Sequence, residues 1–150
     1  MEIFDIKIQG TDGLEKTLSE IQGKANLLVI FFRGAWCGHC KKQLFELNNL
    51  VERFGLLNVQ LAAVSSDTRF KSSLLKTFLK LKFPVFSDEK LVLIDSLHLR
   101  TEYKEKIVAK PAVFLFDQNK QMLYSYIGSE YDDRLSATEI LKQAGKQLSN

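Results

Sequence analysis

Asn26 to Phe32 reads NLLVIFF, six apolar residues without a break after the asparagine, and Gly23-Lys24 precedes it. The stretch has strand length and is rich in branched and aromatic side chains, so it predicts a strand that must be covered on both faces, as central parallel strands are. That requirement constrains the fold more than any other feature of the chain. A sheet covered on both sides needs helices above and below it, which is an α/β architecture.

The remaining sequence can supply those layers. Residues 3 to 8 (IFDIKI) alternate apolar and polar, predicting a short strand, and Gly10 and Gly13 punctuate a turn after it. From about His39 to Phe54 the apolar positions Leu44, Leu47, Leu50, Val51 and Phe54 fall at helical spacing, predicting one amphipathic helix stopped by Gly55. Asn58 to Ser65 (NVQLAAVS) predicts a second central strand, and Phe70, Leu74, Leu75, Phe78 and Leu79 mark a second helix. Ala112 to Asp117 and Gln121 to Gly128, joined by Gln118-Asn119-Lys120, predict an antiparallel hairpin. A last helix follows, with Leu141, Ala144 and Leu148 on its core face. Helical crossovers give parallel neighbours and the hairpin antiparallel ones, so the expected sheet is mixed. Residues 91 to 99 (LVLIDSLHL) fit either a short helix or a strand.

With 150 residues the chain has the size of a single domain, 1–150, and its composition carries no low-complexity tract. The formal net charge of +3 is too small to imply a polyanion, and no nucleic-acid or membrane partner is expected from it. The densest basic stretch, Arg69 to Lys82 (RFKSSLLKTFLKLK), reads as a solvated helix face, with a docking surface as the alternative. The N-terminal residues MEIFDIKIQGTDG lack the apolar segment of a secretory signal, and no run approaches the ~18 apolar residues of a membrane span. The expected location is cytoplasmic, where two closely spaced cysteines point to redox or metal chemistry instead of a structural bridge.

Those cysteines are the only two, in WCGHC, five residues beyond the apolar run. With Cys37 just before a helix and Cys40 in its first turn, both sulfurs face one side within disulfide reach. The unpaired amides and dipole of a helix N-terminus stabilise a thiolate at Cys37, and His39 can add charge or a hydrogen bond. Such a dithiol can attack a substrate disulfide through Cys37 and resolve the mixed disulfide through Cys40. A closed zinc site needs four ligands; the chain offers these two cysteines with His39, inside the loop, and the distant His98, so no metal is expected.

WCGHC after an apolar strand and before an amphipathic helix resembles the active site of the thioredoxin superfamily. DGLEKTLSEIQGKANLLVIFFRG, VSSDTRFKSSLLKTFLKLKFPVFSDEK and KPAVFLFDQNK resemble segments of its redoxin branch, which holds thiol-specific antioxidant proteins and peroxiredoxins. The resemblance implies a thioredoxin-like fold, a mixed central sheet with helices on both faces, and thiol chemistry without a cofactor. It also implies a reductant or oxidant partner besides a disulfide-bearing protein or small-molecule substrate; the oligomeric state is left open.

Departures from the family pattern choose among its activities. In the T-x-x-C motif of peroxiredoxins the threonine position falls here on Cys37, and their activating arginine before the late strand falls on Pro111. A peroxidase would thus lack a hydroxyl and a guanidinium that orient peroxide. Pro111 matches instead the proline of thioredoxin folds, which implies a cis Lys110–Pro111 bond and makes Lys110 and Ala112 candidate substrate contacts. The buried acid that thioredoxins place six residues before the first cysteine is Phe31 here, so another base or water must move the proton. Arg33-Gly34 is closer to the FYRG-x-WC approach of peroxiredoxin-like proteins, and Arg33 can tune the thiolate. The expectation is a thiol-disulfide oxidoreductase with Cys37 as nucleophile, Cys40 resolving, and Arg33, Trp36, Gly38, His39 and Pro111 shaping the site. The alternatives are a peroxidase with Cys40 attacking peroxide and Cys37 resolving, and a redox-sensing binding module.

Overall fold

A computed structural model describes residues 2–130 and 132–149. Ile3–Asp5 form a 3-10 turn, followed by β1 (Lys7–Gly10), β2 (Glu15–Thr17), α1 (Leu18–Gln22), β3 (Asn26–Phe31), α2 (Gly38–Asn48), α3 (Val51–Leu56) and β4 (Val59–Ser65). Then come α4 (Arg69–Leu79), β5 (Val85–Ser87), α5 (Val92–Ser96), β6 (Arg100–Tyr103), β7 (Lys106–Ala109), β8 (Ala112–Phe116), β9 (Met122–Ile127) and α6 (Ala137–Leu148). Seven strands form one sheet in the order β2-β1-β5-β4-β3-β8-β9. The pairs β3/β4 and β4/β5 are parallel, and the others are antiparallel.

The two-sided burial demanded by NLLVIFF is met by alternation along β3. Leu28, Ile30 and Phe32 enter one core with Leu44 and Leu47 of α2 and Ile140 of α6. Leu27, Val29 and Phe31 enter a second core on the other face, with Leu18 of α1 and Leu93 and Ile94 of α5. Both faces of β8 are filled the same way, by Val113 and Leu115 on one side and Ala112, Phe114 and Phe116 on the other. The parallel strands β3 and β4 therefore end side by side, Phe31 opposite Val64, and feed two helices from the same end of the sheet.

Several elements differ from expectation. The first strand begins only at Lys7, although Phe4, Ile6 and Ile8 are buried in alternation as the pattern required. The helix expected to run to Phe54 is two, broken at Asn49-Leu50, and Gly55 lies inside α3 instead of ending it. Helix α4 forms where expected, but Phe70, Leu74 and Phe78 point to solvent, leaving Ser72 and Leu75 as its buried residues. The ambiguous 91–99 stretch is α5 followed by a left-handed His98, φ 58°, which turns the chain into β6.

The two-stranded sheet β6–β7 was not anticipated. Its turn, Lys104-Glu105, has both residues at positive φ (48° and 66°), the geometry of a two-residue primed hairpin turn. The hairpin is tied to the main body by Ser66 Oγ donating to the Ile107 carbonyl (3.0 Å) and by Lys110 N donating to the Leu99 carbonyl (2.7 Å).

Candidate active site

The segment from Arg33 to Cys40 joins β3 to α2. Cys37 is the N-cap of α2 and its sulfur accepts a hydrogen bond from Cys40 N at 3.3 Å, filling the role a serine or threonine usually takes. Both cysteines are free thiols, and Cys40 Sγ donates to Cys37 Sγ at 2.6 Å. Donation from Cys40, the amide hydrogen bond, and the positive charges of Arg134 and Arg33 outweigh burial and pull the Cys37 thiol from 9.0 to about 5. Cys40 is driven far upward, first by its hydrogen bond to the Cys37 thiolate and then by desolvation. The two sulfurs thus divide one proton unequally: Cys37 holds the negative charge and Cys40 keeps the hydrogen.

Exposure separates them further. Both residues are buried, Cys40 at 0 % and Cys37 at 4 %, so Cys37 is the less enclosed of the two. Arg33 N donates to Cys40 Sγ at 3.4 Å, fixing the sulfur from the strand side.

Three side chains stack together beside this segment. Trp36 stacks on Tyr103 of the β6–β7 hairpin with centroids 5.1 Å apart and planes 9° from parallel. The Arg33 guanidinium, buried, lies 3.9 Å from the Tyr103 ring centroid and 4.8 Å from that of Trp36. A hydrogen bond from Arg33 is the main reason the Tyr103 hydroxyl is held below its usual pKa. The indole of Trp36 folds back over Gly34, where a Cβ would run into it. Gly38, by contrast, faces open space, so nothing steric reserves that position for glycine.

Pro111 and Lys110 line a cleft of about 130 Å³ with Arg33, Tyr103 and Gly128. The Lys110–Pro111 bond is trans, correcting the expected cis bond: no described peptide bond is cis. The backbone there is already paired, with Lys110 N on Leu99 and the Pro111 carbonyl accepting from Gly128 N at 2.7 Å, so Pro111 serves as the ordinary residue leading into β8. Ala112 is buried in β8, which is paired on both sides, and offers no free edge to a peptide. His39 is exposed and lines a second depression of about 220 Å³ with Lys42, Glu46 and Arg134.

Phe31 is fully buried, edge-on to Phe114 at 5.8 Å, so no carboxylate stands where thioredoxins keep one. The carboxylate that does touch this segment is Asp67, from the β4–α4 junction: its Oδ2 accepts from Ala35 N at 2.7 Å. Burial pushes its pKa up against that hydrogen bond and the charges of Lys71 and Lys106. Asp67, Tyr103 and Arg134 are functional neighbours that the sequence did not single out. Each comes from a different part of the chain, Tyr103 from the end of β6 and the other two from connections, and only Asp67, in a polar SSDT stretch after a central strand, had a position suggestive of a site.

A thioredoxin-type sheet with a thiolate-bearing cysteine capping the helix after its central strand defines a dithiol redox domain. The chain belongs to the AhpC/TSA family, which it matches over residues 2–125. It is 25% identical over 127 residues to a "Thiol-disulfide oxidoreductase ResA" of Bacillus cereus, covering 83% of this chain and 66% of that protein. A ResA of Bacillus thuringiensis subsp. konkukian is 25% identical over 135 residues, 88% of this chain and 70% of the relative. The chain therefore spans about two thirds of the length of these relatives. Among solved structures the fold is shared with peroxiredoxin Q of Xanthomonas campestris (TM-score 0.85, 17% identity, 97% of this chain and 93% of that one). Peroxidoxin BcpB of Mycobacterium tuberculosis is similar too (TM-score 0.83, 16% identity, 96% and 91%).

Proposed function

We propose that the chain is a thiol-disulfide oxidoreductase acting through Cys37 and Cys40. The observation that carries this is the asymmetry of the pair: Cys37 caps the helix and is pulled to about 5, while Cys40 keeps its proton and is the more enclosed of the two. The Cys37 thiolate attacks one sulfur of a substrate disulfide, forming a mixed disulfide and expelling the other sulfur as a thiolate that takes a proton from solvent. Cys40 then gives up its proton and attacks Cys37 Sγ, releasing the second substrate thiol. Two electrons pass to the substrate and a Cys37–Cys40 disulfide remains, which a dithiol or other two-electron thiol partner must reduce. The curated relatives' name, thiol-disulfide oxidoreductase, supports the reading.

A peroxidase would need Cys40 as the attacking thiolate, and Cys40 is the sulfur with the raised pKa and no exposure. The discriminating experiment measures reduction of a protein disulfide and consumption of hydrogen peroxide in Cys37→Ser and Cys40→Ser. Under the proposal Cys37→Ser loses disulfide reduction and Cys40→Ser accumulates a mixed disulfide at Cys37. Full activity in Cys37→Ser with none in Cys40→Ser would sink it.

A further inference from the structure

The two residues that follow β4 grip two separate pieces of chain beside the dithiol. Ser66 Oγ donates to the Ile107 carbonyl of β7 at 3.0 Å, and Asp67 Oδ2 accepts from Ala35 N at 2.7 Å. Each grip falls next to a stacked ring. Ala35 precedes Trp36, and Ile107 is the register partner of Glu102, which precedes Tyr103. Adjacent side chains of one junction therefore fix the two backbones whose rings stack 5.1 Å apart. Asp67 is also connected to the cysteine, through a turn. Cys37 N donates to the Gly34 carbonyl at 3.1 Å, closing a four-residue turn in which Ala35 is the first inner residue and Cys37 the last. That turn delivers the sulfur that accepts from Cys40 N at 3.3 Å. The grip has a firm base: Asp67 is 9 % exposed, and its own amide donates to Ser65 Oγ at 3.2 Å. Ser65 is fully buried and in register with Ser87 of β5. Burial pushes the Asp67 carboxyl pKa up, and the Ala35 amide with the charges of Lys71 and Lys106 holds it down. Lys106 Nζ, on the hairpin, lies 6.0 Å from the Trp36 ring centroid.

We propose that Asp67 is a positioning residue for the dithiol: through the Ala35 amide it sets where the Cys37 sulfur meets the start of α2, and with Ser66 it holds the Trp36–Tyr103 stack alongside. This rests on Cys37 being the nucleophile. The contribution is one of geometry, and charge works against it. A carboxylate near a thiolate opposes the thiolate's charge, so neutralising Asp67 while keeping its acceptor oxygen lowers the Cys37 pKa or leaves it in place. Releasing the turn acts in the other direction. It loosens the Cys40 contacts that hold the Cys37 thiol low, and the Cys37 pKa climbs back toward its ordinary value. The two effects have opposite signs, and that makes them separable.

Asp67→Asn loses the charge and keeps an acceptor oxygen, whereas Asp67→Leu loses both at similar volume. Two readings on the full chain tell them apart: the pH midpoint of Cys37 alkylation, and the emission of Trp36, the chain's one tryptophan. In Asp67→Leu the midpoint should rise by about one pH unit, which slows alkylation at pH 5 about fivefold. Its Trp36 emission should move to longer wavelength as the indole leaves Tyr103 for water. Asp67→Asn should keep the wild-type emission, with a midpoint no higher than that of the wild type. Ala35→Pro deletes the donor instead of the acceptor, at a turn position that suits proline, and should reproduce Asp67→Leu even where that variant does not fold. Thr68→Ala weakens the same junction through the α4 cap without touching Ala35, and should match the wild type in both readings. The proposal is overturned if Asp67→Leu or Ala35→Pro, folded by circular dichroism, keeps the wild-type midpoint and emission. It is equally overturned if Asp67→Asn raises the midpoint as far as Asp67→Leu does, or if Thr68→Ala raises it too. A wild-type midpoint at an ordinary thiol's value would instead refute the nucleophile assignment beneath it, whereas a low midpoint that Asp67→Leu leaves unmoved refutes the positioning alone.

Discussion

Helices α2 and α4 are built to the same plan and end in opposite circumstances. Each has eleven residues, each leaves the same end of the sheet after a parallel strand, and each is capped by a side chain accepting the amide three positions on. In α4 the cap is the Thr68 hydroxyl on Lys71 N (3.2 Å); in α2 it is the Cys37 sulfur on Cys40 N (3.3 Å). Helix α2 buries Cys40, Gln43, Leu44, Leu47 and Asn48, so its first turn is held from beneath and cannot shift without disturbing the core. Helix α4 buries two residues and turns its aromatic stripe outward. A helix N-terminus thus becomes a reactive site when the cap is a sulfur and the turn beneath it is immobile; the dipole is common to both.

The largest effect should come from exchanging the caps' chemistry. Cys37→Ser keeps a side-chain acceptor at the helix start but removes the nucleophile, and disulfide reduction should fall more than about a thousandfold. Thr68→Ala, assayed the same way, should leave the rate within about twofold because its hydroxyl serves structure alone. Alkylation of Cys37 should follow a titration centred near pH 5 rather than an ordinary thiol's ~8.5. In the reduced protein that depressed value contributes stability that is fully present above the ordinary thiol pKa and drains away as pH falls through 9.0 toward about 5. Cys40, with its raised pKa, works in the opposite sense above the ordinary value. The melting temperature of the reduced wild type should therefore rise relative to Cys37→Ser between pH 5 and 9, and a constant difference would contradict the thiolate assignment.

Packing gives the next effect. Leu47→Ala, in the fully buried face of α2, should cost about 2–5 kcal/mol in urea unfolding. Leu74→Ala on the open face of α4 should change stability by no more than about 0.5 kcal/mol, and a larger loss would mean the stripe is packed in solution. Between these lies the link that joins the two helix starts. Asp67→Ala leaves the Ala35 amide without its acceptor, at about 1–3 kcal/mol, while Asp67→Asn retains an acceptor oxygen and should recover much of it. Thr68→Ala should cost about 1 kcal/mol from the lost cap, less than the Asp67 change and more than the Leu74 one.

The central layers of this molecule were legible because their signals are local. The unbroken run before the cysteines, the second apolar strand and the hairpin after Pro111 each carry their own periodicity and turn residues. The dithiol at a helix start was legible for the same reason. The β6–β7 hairpin escaped because Lys104-Glu105 replaces the Asn-Gly or Asp-Gly that marks such turns, and only the finished fold holds those residues at positive φ. With the hairpin unseen, Tyr103 could not be placed over Trp36 and Arg33. The outward stripe of α4 misled for a different reason: helical spacing shows that a face is apolar, and not whether anything packs on it. The trans Lys110–Pro111 bond was hidden by family likeness, which supplied an expectation the local hydrogen bonds do not require.

Gly34 and Trp36 bind each other's history. Because the indole occupies the volume a side chain at position 34 would need, the two positions are not independent choices for a lineage. A chain that acquires any larger residue at 34 must shrink or expel the aromatic at 36, and with it the partner on which Tyr103 stacks. Among descendants the pair should change together or not at all, so a single substitution at position 34 would unseat the Trp36–Tyr103 stack next to the dithiol without altering either sulfur.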